Sequence, residues 1–134
     1  MYLDLTQLRD FALRYTAAWC SQNAESVAAF YSPAGSLTVN GDAPAVGQIA
    51  ITEVAQSFMS AFPDLRIVMD DLLVQDDTPH YHWTLTGTNS GPCGTGNRVR
   101  ISGFEIWQMG ADGLIASSEG HFDSDEYQRQ LQGE

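Results

Sequence analysis

A chain of 134 residues, 43% hydrophobic and 17% charged, has apolar content enough for one packed core and too little length for two. Seventeen acidic side chains against six basic ones leave a formal charge of −11, which repels phosphate backbones and anionic membranes and argues against nucleic acid or membrane as partners. No apolar run approaches the ~20 residues that span a bilayer, Met1–Asp10 lacks the basic start and apolar stretch of a signal peptide, and Cys20 and Cys93 are too few for a secreted disulfide framework, so a cytoplasmic protein with reduced thiols is expected.

Leu5, Leu8, Ala12, Tyr15 and Trp19 recur at three- and four-residue steps and predict an amphipathic helix over roughly residues 4 to 21. Ser21-Gln22-Asn23 interrupts it, and Val27, Phe30 and Tyr31 predict a shorter helix that stops before Pro33. Ser36–Asn40 alternates as a short strand, Gly41-Asp42 with Pro44 marks a turn, and a third helix is expected over about Gln48–Ala61, ended by Phe62-Pro63-Asp64.

The remainder is rich in β-formers. Leu65–Val74, His80–Thr88, Val99–Gln108 and Leu114–Phe122 read as strands of an antiparallel meander, separated by Asp76-Asp77-Thr78-Pro79, a Gly-rich loop and Ala111-Asp112-Gly113. Ser124–Leu131 reads as a closing helical turn capped by Asp123 or Ser124. Helices followed by four long strands predict an α+β fold, with helices covering one face of a curved antiparallel sheet that encloses a cone.

The second half carries an ordered set of residues: Trp83-Thr84-Leu85-Thr86-Gly87-Thr88-Asn89-Ser90-Gly91, then Gly94, Gly96, Arg98-Val99, Gly103, Asp112-Gly113-Leu114-Ile115, Asp123 and Arg129-Gln130-Leu131. In these, and more loosely in Tyr15, Trp19, Tyr31, Gly47 and Ala61-Phe62-Pro63-Asp64-Leu65, the chain resembles the SnoaL-like polyketide cyclases of the nuclear transport factor 2-like superfamily. The resemblance implies a cone-shaped, cystatin-like barrel formed by the whole chain as one domain. It further implies frequent homodimers, an apolar pocket for a small apolar or aromatic organic ligand, and roles from aldol cyclisation to isomerisation, epoxide hydrolysis and plain binding. Two departures stand where the family keeps its chemistry: a common histidine is Asn89 here, and the usual Glu-x-Trp-Asp reads Ser117-Ser118-Glu119-Gly120.

Alternation along strands puts Glu105 and Trp107 on one face, and Glu119, His121 and Asp123 on one face of the next strand. Centring the intervening hairpin between Ala111 and Asp112 sets Trp107 near Leu114–Ala116 and Glu105 near Ala116–Ser118, with Glu119 one step further. The expectation is a Glu105–Glu119 pair inside the cone, where desolvation and repulsion give one acid and one base. The resemblance sets Glu119 beside the cyclases' acid/base aspartate. The alternative is that both glutamates point to solvent.

Tyr15, in a context that also resembles the oxyanion-hole helix of ketosteroid isomerase, is a candidate catalytic hydrogen-bond donor, with core packing as the other reading. Asn40 is a candidate contact to a developing enolate oxygen. Tyr81, Trp83 and Trp107 offer flat surface for a stacked ligand or simply fill the core, and His121 is a candidate substrate contact or a surface histidine. His80 and His82 share a strand face without a third ligand nearby, and Gly94-Thr95-Gly96 lacks the helix and lysine of a phosphate loop, so neither a metal nor an organic cofactor is expected. Two classes of function follow: a cofactor-independent cyclase or acid/base isomerase or lyase, and a non-catalytic ligand-binding or dimerisation module of the same fold.

Overall fold

The computed structural model describes residues 4–133; the parts of the one-domain and no-signal-peptide readings that rest on residues 1–3 and 134 lie outside them. Helix α1 (Leu5–Cys20) begins where the Asp4 carboxylate accepts the backbone N–H groups of Thr6 and Gln7, satisfying donors that the first turn leaves unpaired. Its stripe of Leu8, Phe11, Ala12, Tyr15, Ala18 and Trp19 is buried. After a left-handed Gln22 (φ 62°), Asn23 caps the short α2 (Ala24–Ala28).

Tyr31 does not extend that helix, although its spacing from Val27 is helical. It opens strand β1 (Tyr31–Val39), pairing with Ile115 far along the chain. β1 turns back into the short β2 (Ala45–Val46), and Gly47 at φ 90° leads into α3 (Gln48–Ala61), within the predicted bounds. The strands β3 (Arg66–Gln75), β4 (Thr78–Thr88), β5 (Arg98–Met109) and β6 (Ile115–Phe122) form the expected antiparallel meander. Asp76 and Asp77, both at positive φ, make the two-residue turn between β3 and β4.

The sheet order is β2-β1-β6-β5-β4-β3, and β1 runs parallel to β6, so the six-stranded sheet is mixed rather than wholly antiparallel. Helices α1–α3 cover its concave face, and the core between them holds Tyr15, Tyr31, Tyr81 and Trp107 at 0–1% exposure. α4 (Ser124–Leu131), capped by Asp123, has no buried residue. It is tied to the sheet by Gln130, whose side chain accepts from the Arg100 N–H and donates to the Arg100 carbonyl, and by Asn97, which donates to the Leu131 carbonyl.

One irregularity decides what the sheet presents to its interior. Met109 pairs with Ile115, but Gln108 pairs with Ser117, leaving Ala116 as an extra residue in β6. Continued without this bulge, the register would set Glu105 opposite Glu119. With it, Glu105 stands opposite Gly120 and Trp107 opposite Ser118. Because side chains alternate, a one-residue shift exchanges the two faces of the strand.

Candidate functional site

Glu105 lies on the concave face at 7% exposure, surrounded by polar groups from three elements. Its Oε1 accepts from the Tyr15 hydroxyl at 3.0 Å, the Trp107 indole Nε1 at 2.9 Å and the Ser118 hydroxyl at 2.8 Å. Its Oε2 has only the Tyr15 hydroxyl, at 3.4 Å. Tyr15 spends its one proton on the carboxyl group, so Tyr31, 2.8 Å away, donates to Tyr15 in turn. Trp107 also stacks on Tyr81, rings 5.0 Å apart and 18° from parallel, which fixes the indole that bonds Glu105.

Burial raises the affinity of Glu105 for a proton above that of an ordinary carboxyl group, and the hydrogen bonds from Trp107, Ser118 and Tyr15 offset part of the rise. Burial, followed by the charge of Glu105, pushes Tyr15 and Tyr31 up as well, so both phenols remain donors. With Oε1 crowded by donors, a proton held by this carboxyl group belongs on Oε2.

Glu105 and Gly120 form part of the wall of a cavity of about 60 Å³. Trp19, Phe58, Tyr81, Trp83, Phe122 and Tyr127 supply its aromatic surface, aliphatic side chains from α3 and the strands complete it, and Glu105 is its one carboxylate among the described residues. An apolar cavity that holds benzene measures about 150 Å³. A ring-sized ligand therefore enters only if the wall yields, and α4 with its half-buried Tyr127 is the least embedded part of that wall.

The structure brings Glu105, Tyr81 and Trp83 to the cavity and sets Tyr15 and Trp107 behind Glu105 rather than on the wall. Three expectations are corrected. Glu119 pairs with Ile106 on the outer face and is exposed, because the bulge at Ala116 turns it out; no Glu105–Glu119 pair exists. His121 is turned out by the same shift and packs beside Phe104, centroids 5.1 Å apart, with His82 on that ring's other side at 5.6 Å. Asn40 sits in the left-handed region at φ 51°, and its Oδ1 accepts the Phe122 N–H while its own N–H reaches the Gly120 carbonyl, so it ties β1 to β6 instead of facing a ligand.

Two participants were not foreseen. Tyr31 was hidden by its helical spacing, and Ser118, which the hairpin centring sets near Glu105, was passed over as a partner in favour of Glu119. Among the described residues, no group of three or more His, Cys, Asp or Glu side chains is arranged to hold a metal ion. Among the described residues, no helix is long and apolar enough to cross a membrane.

The family model of SnoaL-like polyketide cyclases matches residues 9–131. TsrD from Streptomyces laurentii is similar in structure, with a TM-score of 0.83 at 22% identity over 97% of this chain and 98% of its own. A candidate SnoaL-like polyketide cyclase from Jannaschia sp. CCS1 gives 0.81 at 17% identity, covering 96% and 94%. A protein of ketosteroid isomerase-like fold from Catenulispora acidiphila DSM 44928, solved in complex with trimethylamine, gives 0.80 at 11% identity, covering 91% and 92%. No curated protein sequence matches the chain.

Proposed function

The chain belongs to the SnoaL-like polyketide cyclase family, and from that premise we propose that it binds a small apolar or aromatic organic molecule in the cone and moves a proton on it with Glu105. The observation that carries this reading is the asymmetry of the carboxyl group: Oε1 is held by three donors, while Oε2 has one long contact, at 3.4 Å. In this reading Oε2 takes a proton from an acidified carbon of the ligand. The C–H bond breaks, the Glu105 O–H forms, and the electron pair passes into an enolate. The same O–H then breaks to protonate carbon or oxygen elsewhere on the ligand. Such a shuttle suits a cofactor-independent cyclase or an acid/base isomerase or lyase, and one carboxyl group suffices. Tyr15, Trp107 and Ser118 act as positioning residues that hold Oε1 and stabilise the ionised state.

The experiment is deuterium uptake at the carbon next to the carbonyl of 1-tetralone in D₂O, followed by NMR with wild type and Glu105→Gln. Uptake with wild type alone supports the shuttle. Binding of the ketone without wild-type uptake, or equal uptake by both proteins, refutes it and favours the second reading, a non-catalytic carrier. That alternative draws support from the small volume of the cavity.

The same proposal sets the protein in the cytoplasm as a homodimer. Two free cysteines support the first, and Val68 and Leu73, exposed at 53% and 42% on the outer sheet face, support the second. Sedimentation equilibrium tests the dimer.

A further inference from the structure

Trp83, which lines the cavity, carries a polar group whose hydrogen bond is unmade. Among the described residues, the indole Nε1 of Trp83 is the buried side-chain nitrogen or oxygen without a partner. The contrast with Trp107, whose Nε1 is committed to Glu105 at 2.9 Å, is direct. A buried N–H left unpaired is costly enough that native structures rarely retain one without a reason.

The position of Trp83 relates it to Glu105. Trp83 is paired with Gly103, two residues before Glu105 on the same face of β5. A methyl group built on Gly103 would lie 2.6 Å from Cζ2 of Trp83, on the nitrogen-bearing side of the indole, and 3.0 Å from Cβ of Phe122. The missing side chain of Gly103 thus makes the space in which the indole lies across β5, its ring edge-on to Phe122 at 6.0 Å. Glu105 and Trp83 are set one same-face step apart, about 7 Å along the strand.

We propose that Trp83 is a second ligand-binding donor, and that the ligand is a flat, neutral molecule with hydrogen-bond-accepting oxygens at two separated ends, such as a diketone. One end meets the Trp83 N–H and the other meets Glu105; the second half of this statement rests on the proton-handling reading above, whereas the first does not. The aromatic wall alone would also suit a small organic cation. The unpaired indole N–H of Trp83 presents hydrogen to the ligand, which favours an oxygen lone pair over a positive charge at that end.

The test uses ¹⁵N-labelled protein and three probes: 1,4-diacetylbenzene, 4-ethylacetophenone, in which one acetyl group is replaced by an ethyl group, and tetramethylammonium. The Trp83 indole resonance, assigned by its loss in Trp83→Phe, is expected to move downfield with 1,4-diacetylbenzene. Trp83→Phe is expected to weaken that ligand by roughly five- to ten-fold, the worth of one buried hydrogen bond, and to change 4-ethylacetophenone much less. The indole readout is made on the unaltered sequence, so it stands even where the variant fails to fold.

A Trp83 response that persists in Glu105→Gln supports the inference whatever becomes of the proton shuttle. A Trp83 resonance that stays still while the diketone binds overturns the inference and leaves the shuttle intact. Tighter binding of tetramethylammonium than of either ketone, or no binding of either ketone, also overturns it.

Discussion

Tyr15 on the first helix and Glu105 on the fifth strand, ninety positions apart in sequence, meet hydroxyl to carboxylate at 3.0 Å in the interior of the protein. The contact links the helical layer to the sheet and holds Oε1, so that Oε2 is the oxygen left to work. Tyr15→Phe removes that donor and leaves the Tyr31 hydroxyl without its acceptor. The expected loss of stability is about 1–3 kcal/mol, read by urea denaturation. Because the Tyr15 hydrogen bond lowers the proton affinity of Glu105, its removal moves the pH dependence of any Glu105-driven exchange to higher pH.

The raised proton affinity of Glu105 has a signed effect on folding. The native state keeps a proton that the unfolded chain releases, so this group's stabilising contribution is fully present below the ordinary glutamate value of about 4.3 and is lost as pH rises through the higher native value. Glu105→Gln, which cannot ionise, is expected to gain stability relative to wild type across that interval and to hold a constant difference above it. Paired denaturation curves from pH 4 to 9 measure this. A difference that stays flat across the series contradicts the assignment.

Glu119→Gln is expected to leave ketone binding and proton exchange within about two-fold of wild type, because the side chain lies on the outer face of β6. Loss of exchange in this variant would mean that the bulge at Ala116 is absent in solution and that Glu119 faces the cone.

Gly103→Ala is expected to destabilise the protein by at least about 2 kcal/mol, read by thermal or urea unfolding. The added carbon would lie 2.3 Å from the His121 carbonyl oxygen, a backbone atom that moves only if the β5–β6 ladder distorts.

Gln130→Ala removes both side-chain hydrogen bonds that fasten α4 to Arg100. With Tyr127 on the cavity wall, a looser α4 is expected to speed both ligand entry and ligand release several-fold, as measured by NMR line-shape analysis.

Much of this architecture was legible in the residues, and the reasons are local. The stripe from Leu8 to Trp19, the Pro63 stop and the Asp76-Asp77 turn act over a few positions, so α1, α3 and the β3–β4 hairpin fall where spacing predicts. Glu105 and Tyr15 were identifiable as buried polar candidates on recognisable elements. Tyr31 was misread because its helical spacing from Val27 gave way to pairing with Ile115, a contact that no local pattern encodes. Glu119 and His121 were misplaced for a related reason: the extra residue at Ala116 has no sequence signature, yet it reverses every side chain of β6 beyond it. Asn40 was misplaced because it leaves β1 in the left-handed region and its side chain is taken up by the Phe122 N–H, a partner 82 positions away.

The measurement that tests the central claim most directly is a ¹³C NMR titration of the Glu105 carboxyl carbon, assigned by its loss in Glu105→Gln and repeated with saturating 1-tetralone. The account predicts a midpoint clearly above the ordinary glutamate value of about 4.3 in the free protein and a displaced midpoint with ketone bound. A midpoint in the ordinary range that the ketone does not disturb would contradict it, since Glu105 would then be neither desolvated nor in touch with what the cavity holds.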